Sequence, residues 1–255
     1  MNVKRSVLCS LVALAIIASA GKLAQTEDAL PNFNQHYGEI ADPSIWPTTA
    51  VGAVTVALFH LIHRCTGTLV APKLVLTAAH CLFNDNLLVN SRNVSFLAGL
   101  NKGVPAAHSA AVRLAISKGF DPGPPTLDRI ANDWAVVVLA DAISIKPIPI
   151  KSMAPDQLRD FSNSFSAQQI GYGRDRPYLP SIIRDCRVSA GPDERIFWYR
   201  CLTNFGYSGA PILAEIDGST VVIGVNSTRN PQQRGGVACS ATQFAKTVAE
   251  LAKSE

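Results

Sequence analysis

The sequence predicts an all-β protein of the sandwich or barrel type. Three observations lead there: short β-rich segments recur from Val51 onward, turn residues separate them, and helical periodicity is confined to the C-terminal tail. Strand and helix patterns do not alternate as they would in a parallel βαβ sheet. The 255 residues suit one large all-β unit or two small barrels sharing a core, and a hydrophobic content of 47% supplies the apolar interior. Charged residues make up only 16%, which excludes a disordered or coiled-coil chain.

In chain order, the first element is a leader. Lys4-Arg5 precedes an apolar stretch from Val7 to Ala20 that ends in Ala18-Ser19-Ala20. A basic start, an apolar middle and small residues at the end describe a signal peptide over residues 1–20, with cleavage after Ala20 as the first choice and after Ala24 as the second. The stretch is too short for the roughly 20 residues a bilayer requires, so no stable membrane anchor is expected after its removal. The expected location is secreted or periplasmic. Residues 21–48, with Pro31, Pro43 and Pro47, read as an N-terminal arm or propeptide.

Val51–Ile62 is the first strand candidate. Thr68–Val70 and Leu74–Thr77 flank Ala71-Pro72-Lys73, a tight hairpin turn. Further strands are expected at Val94–Ala98, Ala111–Ile116, Trp134–Leu139, Ala167–Gly171, Ile182–Val188, Ile196–Cys201, Ala210–Ile216 and Val221–Asn226. Asp217-Gly218 joins the last two as a hairpin signal. Ile145–Pro155, rich in Ile and Pro, reads as the link between two halves, 49–148 and 149–255. Thr242–Lys253 is the helix, with Phe244, Val248 and Leu251 on one face.

Lys4 and Arg5 leave with the leader, so 21 basic side chains then face 19 acidic ones. No basic run or aromatic–basic stripe remains, which argues against a nucleic-acid partner. Cys9 lies in the leader, leaving Cys65, Cys81, Cys186, Cys201 and Cys239, an odd count in a compartment that favours disulfides. No Cys-x-x-Cys pair is present, and His60-x-x-His63 lacks a third ligand, so neither a metal site nor a cofactor is expected.

Three local clusters carry chemistry. The apolar run Leu74-Val75-Leu76 leads into Thr77-Ala78-Ala79-His80-Cys81; Asn132-Asp133 precedes the apolar strand from Trp134 to Leu139; and Gly206-Tyr207-Ser208-Gly209-Ala210-Pro211 precedes another strand. Singly, each has an ordinary structural explanation, as a cap, a turn or a loop. Together they set His, Asp and Ser in order, each at a strand edge of an exported β-rich chain. A serine hydroxyl is a weak nucleophile unless a base takes its proton, and histidine is the side chain that exchanges protons near neutral pH. A buried carboxylate fixes the imidazole tautomer.

These three boxes resemble those of the chymotrypsin/trypsin superfamily, and more closely its bacterial glutamyl-endopeptidase-like branch; Gly171-Tyr172-Gly173 resembles a further signature of that group. The resemblance spans about residues 50–250. It implies two six-stranded antiparallel β-barrels with a C-terminal helix, and a serine endopeptidase acting on protein or peptide substrates through an acyl-enzyme. It implies His80, Asp133 and Ser208 as the triad, and the N–H groups of Gly206 and Ser208 as the oxyanion hole. It also implies the bridges Cys65–Cys81 and Cys186–Cys201, which leave Cys239 over. Leu202, Thr203, Asn226, Ser227 and Arg229 fall at positions that line the substrate pocket in relatives. Leu202 stands where a carboxylate rewards Lys or Arg, so cleavage after those residues is not expected, while Arg229 favours an acidic side chain at the mouth.

One position departs from the pattern. Tyr207 stands where relatives carry an acid that pairs with a freshly cut N-terminal amine. The alternative to an active protease is therefore a catalytically inactive binding protein on the same fold.

Overall fold

The computed structural model describes residues 38–58, 61–154, 156–158, 166–230 and 235–255. The expected leader, most of the arm and His60 lie outside the described residues. The strands are β1 (Glu39–Ile40), β2 (Val51–Leu58), β3 (Leu61–Ala71), β4 (Leu74–Thr77), β5 (Phe83–Asn84), β6 (Leu87–Leu88), β7 (Val94–Ala98), β8 (Ala107–Ile116) and β9 (Ala135–Leu139). They continue as β10 (Ala167–Gly171), β11 (Ser181–Ala190), β12 (Ile196–Arg200), β13 (Pro211–Ile216), β14 (Ser219–Asn230) and β15 (Gly235–Ser240).

Six strands close into an antiparallel barrel in the order β2-β3-β4-β9-β8-β7. A second six-stranded barrel runs β11-β10-β13-β14-β15-β12, with β12 pairing back onto β11 and the short β1 added to β11 from outside. Closure removes the unpaired edges that an open sheet of this length would expose. Asp217 and Gly218, at φ 52° and 72°, form the tight turn between β13 and β14 that their sequence predicts.

The expected strand Val51–Ile62 is in fact two. β2 and β3 pair as a hairpin with Leu58 opposite Leu61, and β3 runs on to Ala71. Phe59-His60 between them contains no Gly, Pro, Asn or Asp, so the sequence carries no turn signal there. β1 and β15 were not expected; β15 begins Gly235-Gly236, and glycine has little strand propensity. A short helix, Leu127–Ala131, also goes beyond the sequence reading; the Thr126 hydroxyl caps it by accepting the Arg129 N–H at 3.1 Å.

One buried cluster joins Leu69, Leu74, Phe96 and Val137 of the first barrel to Ile170, Leu213 and Val225 of the second, so the barrels share a core. A separate cluster of Val188, Phe197, Tyr199, Ile212 and Ile223 fills the second barrel. The C-terminal helix, Ala245–Ser254, follows the second barrel in sequence, yet Phe244 and Val248 belong to the shared cluster. Phe244 packs against Trp134 with ring centroids 6.1 Å apart. Arg113 of β8 forms an ion pair with Glu255. Disulfides join Cys65 to Cys81 and Cys186 to Cys201, with Cα separations of 6.1 and 5.0 Å. Cys239 is buried and unbridged, its Sγ donating to the Ala131 carbonyl at 3.1 Å.

Candidate active site

β4 ends at Thr77, and a single 3₁₀ turn, Ala79–Leu82, swings His80 out of the first barrel's wall. Cys81, the next residue, is tied to β3 through Cys65, which limits how far that turn can drift. The helix Leu127–Ala131 and its cap at Asn132 deliver Asp133 to the opposite side of the imidazole. Asp133 Oδ2 lies 2.7 Å from His80 Nδ1, and Asp133 Oδ1 accepts the His80 backbone N–H at 2.9 Å. The Ser227 hydroxyl donates to the same Oδ2 at 2.5 Å.

Asp133 is 1% exposed. Burial pushes its carboxyl upward, but the His80 charge and three hydrogen bonds outweigh that and hold it below its ordinary value. An ionised carboxylate so placed fixes the imidazole with Nδ1–H toward the acid, leaving Nε2 as the basic atom. The neighbouring His63 is shifted down by burial and then by repulsion from His80.

Ser208 sits between two glycines at positive φ, Gly206 at 92° and Gly209 at 79°. Neither tolerates a side chain: a Cβ on Gly206 would lie 2.4 Å from the Tyr172 carbonyl, and one on Gly209 2.2 Å from the Thr66 carbonyl. Among the described residues, the N–H groups of Gly206 and Ser208 donate to no protein acceptor.

Ser208, Gly206 and His80 line one cleft of about 780 Å³ between the barrels. Of the expected pocket residues, Asn226, Ser227 and Arg229 also line it. Leu202 does not; it is 45% exposed and outside the cleft lining. Thr203 is buried behind the wall, within 3.4 Å of Asn226 Nδ2. Asn226 commits its side chain to the protein rather than to the cleft. Its Oδ1 accepts from the Tyr199 hydroxyl at 2.6 Å, and its Nδ2 donates to the Tyr207 carbonyl at 2.8 Å. Spacing along the sequence does not reveal that these atoms are taken by residues from other strands.

Several site residues were not anticipated. Arg64, Arg129 and Arg174 line the cleft with Arg229. Thr66 bonds to the loop carrying Ser208, with its backbone N–H donating to the Ser208 carbonyl at 2.8 Å. Tyr207 is wholly buried, and its ring fills the space that glycine leaves at positions 171 and 173; a Cβ there would lie 2.8 and 2.6 Å from ring carbons. Burial, with the nearby Asp175 charge, pushes the Tyr207 phenol up to about 12. Cys65, His80 and Cys81 lie within metal-binding reach of one another, but a disulfide removes both thiolates and leaves a lone imidazole.

In fold, the chain is similar to a solved structure described as Glu endopeptidase in complex with MPD. The TM-score is 0.66 and the identity 17%, covering 85% of this chain and 96% of that one. The Trypsin family model matches residues 42–248, which include every residue of the cleft described above. The chain belongs to the trypsin family and is a serine-type endopeptidase.

Proposed function

We propose that the chain is an exported endopeptidase in which Ser208 is the nucleophile, His80 its general base and Asp133 the group that orients His80. The observation that carries this reading is the 2.7 Å contact between His80 and a buried Asp133, on the same cleft as Ser208. Ser208 Oγ attacks the scissile carbonyl as His80 Nε2 takes its proton. His80 then passes that proton to the departing amine, leaving an acyl-enzyme that water hydrolyses by the same steps in reverse order. The N–H groups of Gly206 and Ser208 meet the oxygen on which negative charge builds, an interaction worth about 3–4 kcal/mol per donor in comparable sites. The leader pattern and two disulfides, which persist in oxidising compartments, support export.

The substrate reading is an acidic peptide. Arg64 and Arg129 reach the cleft from the first barrel and Arg174 and Arg229 from the second, while no Asp or Glu lines it among the described residues. A cleft of one sign rewards carboxylates on either side of the scissile bond and repels Lys and Arg. The similarity to a solved Glu endopeptidase points the same way. The test is a fluorophosphonate label followed by a mixed peptide library. Rapid labelling at Ser208 with cleavage beside Glu or Asp is expected. An unlabelled Ser208 would leave an inactive binding protein, and a library dominated by cuts after Lys or Arg would overturn the substrate reading.

A further inference from the structure

Oxyanion catalysis requires two backbone N–H groups to point into the cleft before substrate arrives. In a trans peptide the N–H lies antiparallel to the carbonyl of the preceding residue, so holding one aims the other. The residues from Asn204 to Tyr207 form a turn closed by the Tyr207 N–H donating to the Asn204 carbonyl at 3.2 Å. Gly206, at φ 92°, takes the third place, as a type II turn requires. Flipping the Phe205–Gly206 peptide would convert it to a type I turn and withdraw the Gly206 N–H.

Four consecutive carbonyls of this segment are held. The Phe205 carbonyl accepts from the Arg174 N–H at 2.7 Å and the Ser208 carbonyl from the Thr66 N–H at 2.8 Å. The Tyr207 carbonyl accepts from Asn226 Nδ2 at 2.8 Å and the Ala210 N–H at 2.9 Å. The Gly206 carbonyl accepts from the Thr66 hydroxyl at 2.9 Å. That hydroxyl accepts in turn from the Tyr172 N–H at 3.0 Å, so its single proton is committed to Gly206. Thr66 is wholly buried on β3, adjacent to Cys65, and reaches across from the first barrel to a loop of the second.

We propose that the Thr66 hydroxyl is a positioning group for the oxyanion turn: by fixing the Gly206 carbonyl it holds the Gly206–Tyr207 peptide, which lies between the two peptides that carry the Gly206 and Ser208 N–H groups, and so braces the turn against the flip that would withdraw the Gly206 N–H. This rests on the proposed role of Ser208, and the experiment separates the two. Thr66→Val keeps the shape and removes the bond, whereas Thr66→Ser keeps the bond and removes a methyl group. With an acidic peptide substrate, Thr66→Val should lower kcat about 10- to 100-fold with KM nearly unchanged, and weaken binding of a peptide boronate by a similar factor. Thr66→Ser should restore most of both. If the valine variant does not fold, Thr66→Ala takes its place in the comparison. A kcat equal to wild type without the hydroxyl, or no recovery in Thr66→Ser, overturns the proposal. If wild type itself neither labels nor hydrolyses, the Ser208 assignment fails instead. Thr66 is then judged by hydrogen–deuterium exchange of the segment containing Gly206: faster exchange in Thr66→Val supports the clamp, and an unchanged rate refutes it.

Discussion

Asp133 shows how much a single buried charge depends on its partners. Stripped of His80 and Ser227 it would be an uncompensated carboxylate in an apolar setting, which costs several kcal/mol. With them it is ionised and orients the imidazole. Because the three proposed catalytic side chains act as a unit, Ser208→Ala and His80→Ala should each lower peptide hydrolysis by at least about a thousand-fold, and the double variant should lose little more. Steady-state kinetics on folded protein checks this; near-wild-type turnover in Ser208→Ala would end the assignment. These residues stand out in the sequence because each sits in a short box whose neighbours shape its local backbone. The glycines beside Ser208 are the clearest case, since positive φ demands them. Leu202 falls outside the cleft lining, and Asn226 lines it with its amide bonded to the protein, because their surroundings come from remote strands. Tyr199, from β12, donates its hydroxyl to the Asn226 oxygen. No spacing within residues 202–229 announces that.

At the level of elements, the two disulfides guard the two halves of the site. Cys65–Cys81 ties β3 to the turn bearing His80, and Cys186–Cys201 ties β11 to the end of β12, just ahead of the loop that carries Ser208. Each closes a loop of similar length, at sequence separations of 16 and 15, so each should contribute about 2–4 kcal/mol. Chemical denaturation of Cys65→Ser/Cys81→Ser and Cys186→Ser/Cys201→Ser double variants should show comparable losses, and a cost near zero would contradict this. Strands bounded by turn residues were readable: Val94–Ala98 and Ala167–Gly171 fall where the pattern puts them. Failures came where a boundary lacks punctuation, as between β2 and β3, or where a strand is written in glycine, as at the start of β15. Gly235 earns its place through contact: a Cβ there would lie 2.0 Å from the Tyr199 carbonyl.

For the whole molecule, the question is what sets the site into working order. Tyr207, neutral at pH 7, offers no anion for an inserted ammonium, and its ring already fills the space over Gly171 and Gly173. The neighbouring Asp175 carboxylate already lies 3.5 Å from Arg176 Nε, so an inserted ammonium would have to share its counter-charge, and burying it there is disfavoured. A chain beginning at Gly21, or one carrying an N-terminal tag, should therefore label at Ser208 without further processing. Comparing labelling before and after limited trypsin treatment checks this; label that appears only after a cut near Val51 would mark a zymogen. The C-terminal helix bears on a different event. Its lead-in residue Phe244 packs on Trp134, in the first barrel, although the whole second barrel intervenes in the chain. Residues emerge from the ribosome in order, so the first barrel stays without its covering helix until residues 244–254 are free. Packing of Phe244 and Val248 against the first barrel is thereby postponed until the second barrel has been made.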